Sequence, residues 1–464
     1  MLAPGTEHGQ ARHGHSTLGA SIADVTDEVP SLSQVVETLT LQSGFNTNMV
    51  IAGTTLLGLA AGVIGVFALL RKRSLMTDAL SHATLPGIAL AFLAAAWLGF
   101  EGRTLPVLLL GATITGVIGV VCVHAILRYS RLHEDAAIGI VLSVFFGAGI
   151  VGLSYIQANA AAGSAGLNKF IYGQAATMRP PDVLLMGGIA LAGIIAAILF
   201  LKEFALVCFD DAFARVDGWP VSVIDLVMMG LVVVVTVAGL QAVGLILVVA
   251  MLIIPAVAAR FWTERLWLLV IIAGVIGASS GYLGSVVSAL LPRKPAGAVI
   301  VLCSGAVFTL SMIAAPARGV VFSFVRRLRL RLRIAGDHLL ERAYELASTG
   351  LDRGEVARLC KLRGWSGMFR SLVLLSLRFN GLIGRSDGGG ITISPAGVER
   401  GARVARNHAL WEQYLIAYAD VAPSHVDWSV DQVEHVLSDR LVQELESRLA
   451  ERGVTIPAEA AVTS

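Results

Sequence analysis

Apolar runs long enough to cross a lipid bilayer follow one another between residues 48 and 316. Gln241, Gly244 and Pro255 interrupt one stretch, so a broken or re-entrant helix is also compatible there. With 55% hydrophobic and 15% charged residues, the chain is too apolar for a soluble protein. The pattern predicts an all-α polytopic membrane domain of about nine helices. The runs cover 48–70, 83–100, 104–127, 137–155, 183–201, 221–240, 241–259, 267–291 and 296–316.

Basic residues cluster in alternate connections between these runs, which predicts that those connections face the cytoplasm. The N-terminus would then lie outside the membrane and the C-terminus inside. A dense basic run near the end of the membrane domain fits a segment lying against anionic lipid. The clusters are Arg71, Lys72 and Arg73; Arg128 and Arg131; Lys202 and Arg215; Arg260 and Arg265; and Arg326, Arg327, Arg329, Arg331 and Arg333.

Composition divides the chain into successive parts. We expect a disordered extracytoplasmic tail at 1–45, a transmembrane domain at 46–318, a basic juxtamembrane linker at 319–335, a winged-helix unit at 336–395, a helical unit at 396–454 and a tail at 455–464. The four cysteines are scattered without CxxC spacing, so neither a disulfide framework nor a thiolate metal site is indicated.

In the C-terminal part of the chain, which we expect to be cytoplasmic, apolar residues recur periodically instead of forming continuous runs. Helical patterns occur at 336–348, 353–362 and 366–380, and the stretch GLIGRSDGGGITIS then predicts two short strands joined by a turn. Three helices and a two-stranded wing predict a winged-helix unit. Two further helices are predicted at 396–419 and 428–452.

Asp78 and His82 stand where the second apolar run begins. Their i, i+4 spacing places both side chains on one helix face. An ionisable group inside a spanning helix costs roughly 2.5 to 3.5 kcal/mol unless it has a partner or a function. A divalent cation is one such partner, although capping by Asp78 and a helix-to-helix hydrogen bond from His82 would also explain the pair.

Several stretches in order resemble the permease subunits of bacterial ATP-binding-cassette importers for manganese, zinc and iron. They are RKRSLMTDALSHATLPG, HEDAAIGIVLSVFFGAGI, GLQAVGLILVVAMLIIPAVAAR and LPRKPAGAVIVL. The resemblance implies a type II importer architecture in the bacterial cytoplasmic membrane, with Asp78 and His82 coordinating the passing ion. It also implies three kinds of partner: a second copy or a sister permease, an ATPase dimer and an extracytoplasmic metal-binding protein.

By the same resemblance, the segment FDDAFARVDGWPV at 209–221 is the coupling helix that contacts the ATPase, although an ordinary solvated loop is the alternative. No GxxxxGK[ST] motif occurs, so we expect no nucleotide site and no enzyme activity on this chain. The coupling residues implied are Asp210, Asp211, Ala212, Ala214, Gly218 and Pro220.

The C-terminal stretch ISPAGVERGARVARNHALWEQYLIAYADVAPSHVDWSVDQVEHVLSDRLVQEL resembles iron- and manganese-dependent repressors of the DtxR type. The ligands that this resemblance implies, named at the end of this paragraph, offer oxygen and nitrogen donors and no thiolate. Such a donor set favours Mn²⁺ or Fe²⁺, so we rank manganese first, with iron and zinc left open. The alternative is that these side chains are solvent-exposed charges on helices that form ion pairs with one another and bind no metal. The ligands that the resemblance implies are His338, Glu341, His408, Glu412, Asp431, Glu434 and His435.

The helix that would enter the DNA groove has the sequence WSGMFRSLVLLSLRFN, in which large apolar residues outnumber polar ones. A helix that reads base edges needs polar side chains, so the sequence does not favour DNA binding. The sequence therefore favours a metal permease with a cytoplasmic metal sensor. The alternative is a membrane-anchored, metal-dependent transcriptional regulator.

Overall fold

The protein is described by a computed structural model at residues 31–71, 74–98, 105–159, 178–291, 295–346, 350–385, 390–418 and 439–451. The chain divides into two compact units, Met1–Phe322 and Ser323–Ser464. The helices before the division are α1 Leu32–Leu39, α2 Phe45–Leu70, α3 Ser74–Ala83, α4 Leu85–Trp97, α5 Leu105–Tyr129, α6 Glu134–Asn159, α7 Pro180–Leu199, α8 Leu201–Phe209, α9 Asp211–Val216, α10 Val221–Val243, α11 Leu245–Arg260, α12 Leu266–Leu290 and α13 Ala296–Ala314.

Within the described residues, each predicted apolar run is mostly helical. Among the described residues, 8 segments are long and apolar enough to span a membrane, and one of them, Leu75–Trp97, comprises α3 and α4. The seventh run is shorter than expected, because α11 has 16 residues. Gly244, at a φ of 88°, ends α10 and begins α11. That left-handed conformation suits glycine, which explains why the long apolar stretch is divided there.

The α2 and α12 helices cross closely at the centre of this unit. A Cβ added to Gly58 would collide with the carbonyl oxygen of Gly277, and one added to Gly62 would collide with the carbonyl oxygen of Ala273. Small residues at such a crossing let two backbones approach, which is a common way for helices to associate in lipid. This crossing organises the apolar core around α2.

The expectation of a disordered tail at 1–45 is wrong for its last part, where α1 forms. Ser31 caps this helix and completes a capping box with Gln34. The S-x-x-Q spacing followed by apolar residues is a recognised helix start. Residues 1–30 lie outside the described part of the chain.

The second unit contains the predicted winged helix. The predicted pair of strands is present as β2 (Ile383–Arg385) and β3 (Ile391–Ile393). A further strand, β1 (Gly350–Leu351), pairs antiparallel with β3 to give the order β1-β3-β2. The predicted linker at 319–335 is helical over 320–335, because it forms one continuous helix, α14 (Val320–Glu345), with the first predicted helix of this unit. The elements are α14 Val320–Glu345, β1 Gly350–Leu351, α15 Arg353–Leu362, α16 Gly367–Phe379, β2 Ile383–Arg385, β3 Ile391–Ile393, α17 Pro395–Tyr418 and α18 Asp439–Glu451.

Candidate functional site

Asp78 and His82 lie on α3, and their side chains face each other. The Nε2 atom of His82 is 3.7 Å from the Oδ1 atom of Asp78. The His82 side chain is 20% exposed and that of Asp78 is 49% exposed. The helix ends shortly after the pair, at Ala83, because Pro86 belongs to the first turn of α4. The pair therefore sits next to a helix break inside a bilayer-length segment.

The surroundings of His82 leave one of its nitrogens available. Its ring packs edge-on against Phe146 of α6, with 5.0 Å between the ring centroids. Within the described residues, the Nδ1 atom of His82 is buried and has no hydrogen-bond partner. A buried polar atom without a partner carries a desolvation penalty, so its presence calls for a ligand or a functional role. A carboxylate oxygen and imidazole nitrogens are donors that suit Mn²⁺, Fe²⁺ and Zn²⁺.

The predicted coupling segment contains the short helix α9. Asp210 caps this helix by accepting a hydrogen bond from the backbone N–H of Phe213 at 2.8 Å. Ala214 is buried against Val207 and Val221, whereas Phe213 is exposed and Val216 is 89% exposed. The helix is thus anchored on one side and presents apolar side chains on the other.

The remaining residues of this segment shape its ends. Asp211 and Arg215 form an exposed ion pair at 2.9 Å on α9. Gly218 has a φ of 86°, and Pro220 precedes the first residue of α10. Ala212 lies on the first turn of α9 and is exposed.

Asp225, which no motif in the sequence indicated, forms a buried ion pair with Arg71. The Arg71 Nε atom lies 3.0 Å from Asp225 Oδ1, and the Asp225 residue is 3% exposed. The sequence signal for this pair was a single carboxylate inside an otherwise apolar run, because a carboxylate in such a run usually has a partner.

The sensor residues of the second unit meet around Glu341. Its two carboxylate oxygens lie 3.5 Å from His338 Nδ1 and 3.2 Å from His408 Nδ1. Burial raises the pKa of Glu341, but the hydrogen bonds and charges of the two histidines outweigh burial and lower this pKa from 4.5 to about 2. The Arg363 guanidinium also lies 3.4 Å from His338 Nδ1, so that contact would have to break before this nitrogen could bind a metal.

One carboxylate held between two imidazoles is a donor set that fits a divalent cation. Within the described ranges, however, no three His, Cys, Asp or Glu side chains are arranged to hold a metal ion by themselves. Glu412 lies one turn beyond His408 on α17 and is half-buried. Asp431, Glu434 and His435 lie outside the described residues. The structure therefore brings together three of the predicted sensor ligands.

The helix that would read DNA, α16, carries an exposed apolar stripe. Met368, Leu372, Leu375 and Phe379 follow one another at helical spacing and are all exposed, while Val373 and Leu377 are buried on the core side. Groove-reading helices instead present polar side chains to base edges.

The bilayer-length helices define this chain as a multi-pass membrane protein, with an ionisable pair inside one span. Residues 45–315 match the ABC 3 transport family, and the chain belongs to that family. Residues 394–454 match the metal binding and dimerisation domain of iron dependent repressors.

Relatives with assigned roles support this placement. The chain is 40% identical to the manganese transport system membrane protein MntC of Bacillus subtilis over 405 residues, which covers 87% of this chain and 91% of that one. An alignment of that length cannot fit within Met1–Phe322, so it extends into the second unit. The chain is 44% identical to the zinc transport system membrane protein TroC of Treponema pallidum, over 63% of this chain and 96% of that one.

Among solved structures, PsaBC from Streptococcus pneumoniae in complex with Fab resembles this chain with a TM-score of 0.55 and 29% identity. The match covers 65% of this chain and 100% of the other.

Proposed function

We propose that this chain is the permease subunit of an ATP-binding-cassette importer that moves a divalent transition metal, with manganese first, into the bacterial cytoplasm. The observation that carries the proposal is the Asp78 and His82 pair inside a membrane-spanning segment, with 3.7 Å between Nε2 and Oδ1. Similarity to MntC and TroC supports manganese or zinc as cargo. Iron is the third ion to compare.

The pair can receive the ion by replacing water with one oxygen donor and one nitrogen donor. The half-exposed carboxylate of Asp78 offers oxygens outward, while His82 is held in place by Phe146. Two protein donors do not complete the coordination of Mn²⁺ or Zn²⁺. A second permease can supply two more donors across a two-fold axis.

Transport would be driven by an ATPase carried on separate polypeptides. The exposed side chains of α9, with Phe213 and Val216 foremost, offer an apolar surface for that subunit. Closure of the ATPase would be transmitted through α9 as a rigid-body tilt of the adjoining spans. The alternating basic connections support a cytoplasmic position for α9 and for the second unit.

The test is metal uptake by the complete transporter in liposomes, compared for Mn²⁺, Zn²⁺ and Fe²⁺. Asp78→Asn and His82→Gln should each abolish metal-stimulated transport while the ATPase still copurifies. The matched controls are Asp135→Asn and His133→Gln, which change exposed residues of the same types around the start of α6. Full uptake by either site variant would refute the proposed path.

The second unit senses cytoplasmic metal and slows uptake when the cell is replete. Metal binding there must favour the resting state over the transporting state for such feedback to work. His338, Glu341 and His408 supply donors from two helices. We assign Glu412, Asp431, Glu434 and His435 to the same function on the basis of the family resemblance.

Two measurements separate this role from transcriptional control. Glu434→Ala combined with His435→Ala should leave transport intact but insensitive to metal on the cytoplasmic side, and unchanged inhibition would refute the feedback. The apolar surface of α16 argues against DNA binding. A robust Mn²⁺-dependent mobility shift of promoter DNA by the protein would establish the regulator instead.

A further inference from the structure

A cavity of about 710 Å³ lies within the second unit, and its described lining includes none of the residues assigned to metal. Its walls come from α14, from the C-terminal end of α16 and from α17. The volume falls in the range that organic ligands and cofactors occupy in proteins, roughly 300 to 1,000 Å³. Among the described residues, the charged side chains that line it are Arg326, Arg329, Arg333, Asp337 and Arg400.

The three arginines of α14 share one face of the helix. Arg326, Arg329 and Arg333 stand at i, i+3 and i+7, so their side chains point to the same side. Like charges at such spacing repel each other. Within the described residues, Arg329 and Arg333 are exposed and form no ion pair with a carboxylate. An anion in the cavity would relieve this repulsion.

A buried carboxylate further along α14 holds the arginine that α17 contributes to the lining. Asp337, whose side chain is 6% exposed, accepts hydrogen bonds from Arg400 Nε at 2.6 Å and from Arg400 Nη2 at 3.3 Å. This two-bond contact orients the Arg400 guanidinium at the cavity. Among the described residues, the lining has four arginines and one aspartate, a formal charge of +3.

The C-terminal end of α16, which carries partial negative charge, does not cancel the positive charge of the lining. The carbonyl groups at a helix C-terminus disfavour anions, but the Asn380 side-chain amide donates to the carbonyl oxygen of Ser376 at 2.8 Å. One of those carbonyls is therefore satisfied within the protein.

From this geometry we propose that the cavity binds a phosphate-bearing organic anion. Guanidinium groups match phosphate oxygens with paired hydrogen bonds, and a cluster of them is a common phosphate site. The volume is far larger than one inorganic phosphate needs, which favours a larger molecule that carries phosphate. The source is either a soluble molecule of nucleotide size or the headgroup of an anionic lipid, and both share this chemistry. The site is independent of the transport path, so it can be tested without transport.

The experiment is calorimetric titration of the full chain in phosphatidylcholine nanodiscs, without its ATPase, using pyrophosphate and ATP as probes at low ionic strength. The test variant is Arg329→Ala with Arg333→Ala. The matched control is Arg327→Ala with Arg331→Ala, which removes the same charge from exposed positions of the same helix that do not line the cavity. A parallel arm replaces part of the lipid with phosphatidylglycerol and counts retained lipids by native mass spectrometry.

Saturable probe binding that weakens at least about tenfold in the test variant, and less than about twofold in the control, supports the site with a soluble ligand. Retention of phosphatidylglycerol that is lost only in the test variant supports the site with a lipid ligand. If neither probe nor lipid binds, or if both variants weaken binding equally, the proposal is overturned. Circular dichroism of both double variants shows whether either one is unfolded. If the test variant is unfolded, Arg329→Lys with Arg333→Lys replaces it in the same titration.

Discussion

The Arg71 guanidinium joins the end of α2 to the start of α10 through its ion pair with Asp225, at 3.0 Å between Nε and Oδ1. The same side chain donates from Nη1 to the carbonyl oxygen of Val207 in α8, also at 3.0 Å. Because α8 leads directly into α9, this one arginine connects two spanning helices with the segment proposed to contact the ATPase.

Removing one partner of this pair should destabilise the protein. Asp225→Asn leaves the Arg71 charge partly buried without its counterion, and breaking such pairs costs about 3 to 5 kcal/mol. We therefore expect a clearly lower melting midpoint of the protein in detergent, and recovery of much of the loss in the double variant Arg71→Met with Asp225→Leu.

The chain provides a matched control for that measurement. Arg318 and Glu264 form an ion pair at 2.7 Å whose side chains are both exposed. Exposed pairs contribute about 0 to 1 kcal/mol, so Glu264→Gln should leave the midpoint nearly unchanged. Equal effects at the two pairs would show that burial of Asp225 is not what makes its pair important.

The close crossing of α2 and α12 makes a second prediction. Gly277→Ala places a methyl group against the carbonyl oxygen of Gly58, so the helices must separate. Overpacking of this kind costs typically about 1 to 3 kcal/mol. Thermal unfolding in detergent should show the loss, whereas Gly188→Ala should not, because a Cβ at that position meets open space. A normal midpoint for Gly277→Ala would mean that the crossing is looser than described.

The spans could be predicted from the sequence because lipid requires long apolar helices, and hydropathy alone finds them. The Asp78 and His82 pair was predictable for the same reason, since i, i+4 spacing fixes their relative position on a helix. The start of α14 was not, because Arg and Leu alternate from Arg327 to Arg333 with a period of two, which does not indicate a helix. The structure shows that this helix continues into Ala335–Ala343, where burial in the core decides its conformation.

Residue spacing did not predict contacts between distant segments, and His408 was placed with Glu341 only through the family resemblance. His408 lies far along the chain from Glu341, and only folding brings its Nδ1 atom to 3.2 Å from the carboxylate. The same holds for Arg71 and Asp225, which are separated by 154 positions. Residue spacing predicts which side chains share one face of a helix. Which helices pack against each other depends on long-range packing that no short sequence pattern encodes.

The exposed surface of α9 yields a prediction about assembly. Phe213→Asp should weaken association with the ATPase by at least about tenfold, because it places a charge in an apolar contact. Copurification and quantitative pull-down measure this effect. Tyr129→Asp, which changes an exposed aromatic residue at the end of α5, should keep association close to that of the unmodified protein. Equal binding by both variants and the unmodified protein would exclude α9 as the contact.

Glu341 should make the stability of the second unit depend on pH in the metal-free protein. Its pKa is about 2 when folded, against an ordinary value of 4.5, so the unfolded chain takes up the proton first as the pH falls. The stability that Glu341 contributes is complete above pH 4.5 and is lost progressively toward pH 2. Hydrogen exchange of peptides from α14, corrected for intrinsic rates and compared at about pH 6 and about pH 3, should therefore show weaker protection at the lower pH. Glu341→Gln should reduce this dependence, while Glu345→Gln, which changes an exposed residue on the same helix, should retain it. An undiminished pH dependence in Glu341→Gln would show that the carboxylate between His338 and His408 does not stabilise the folded unit.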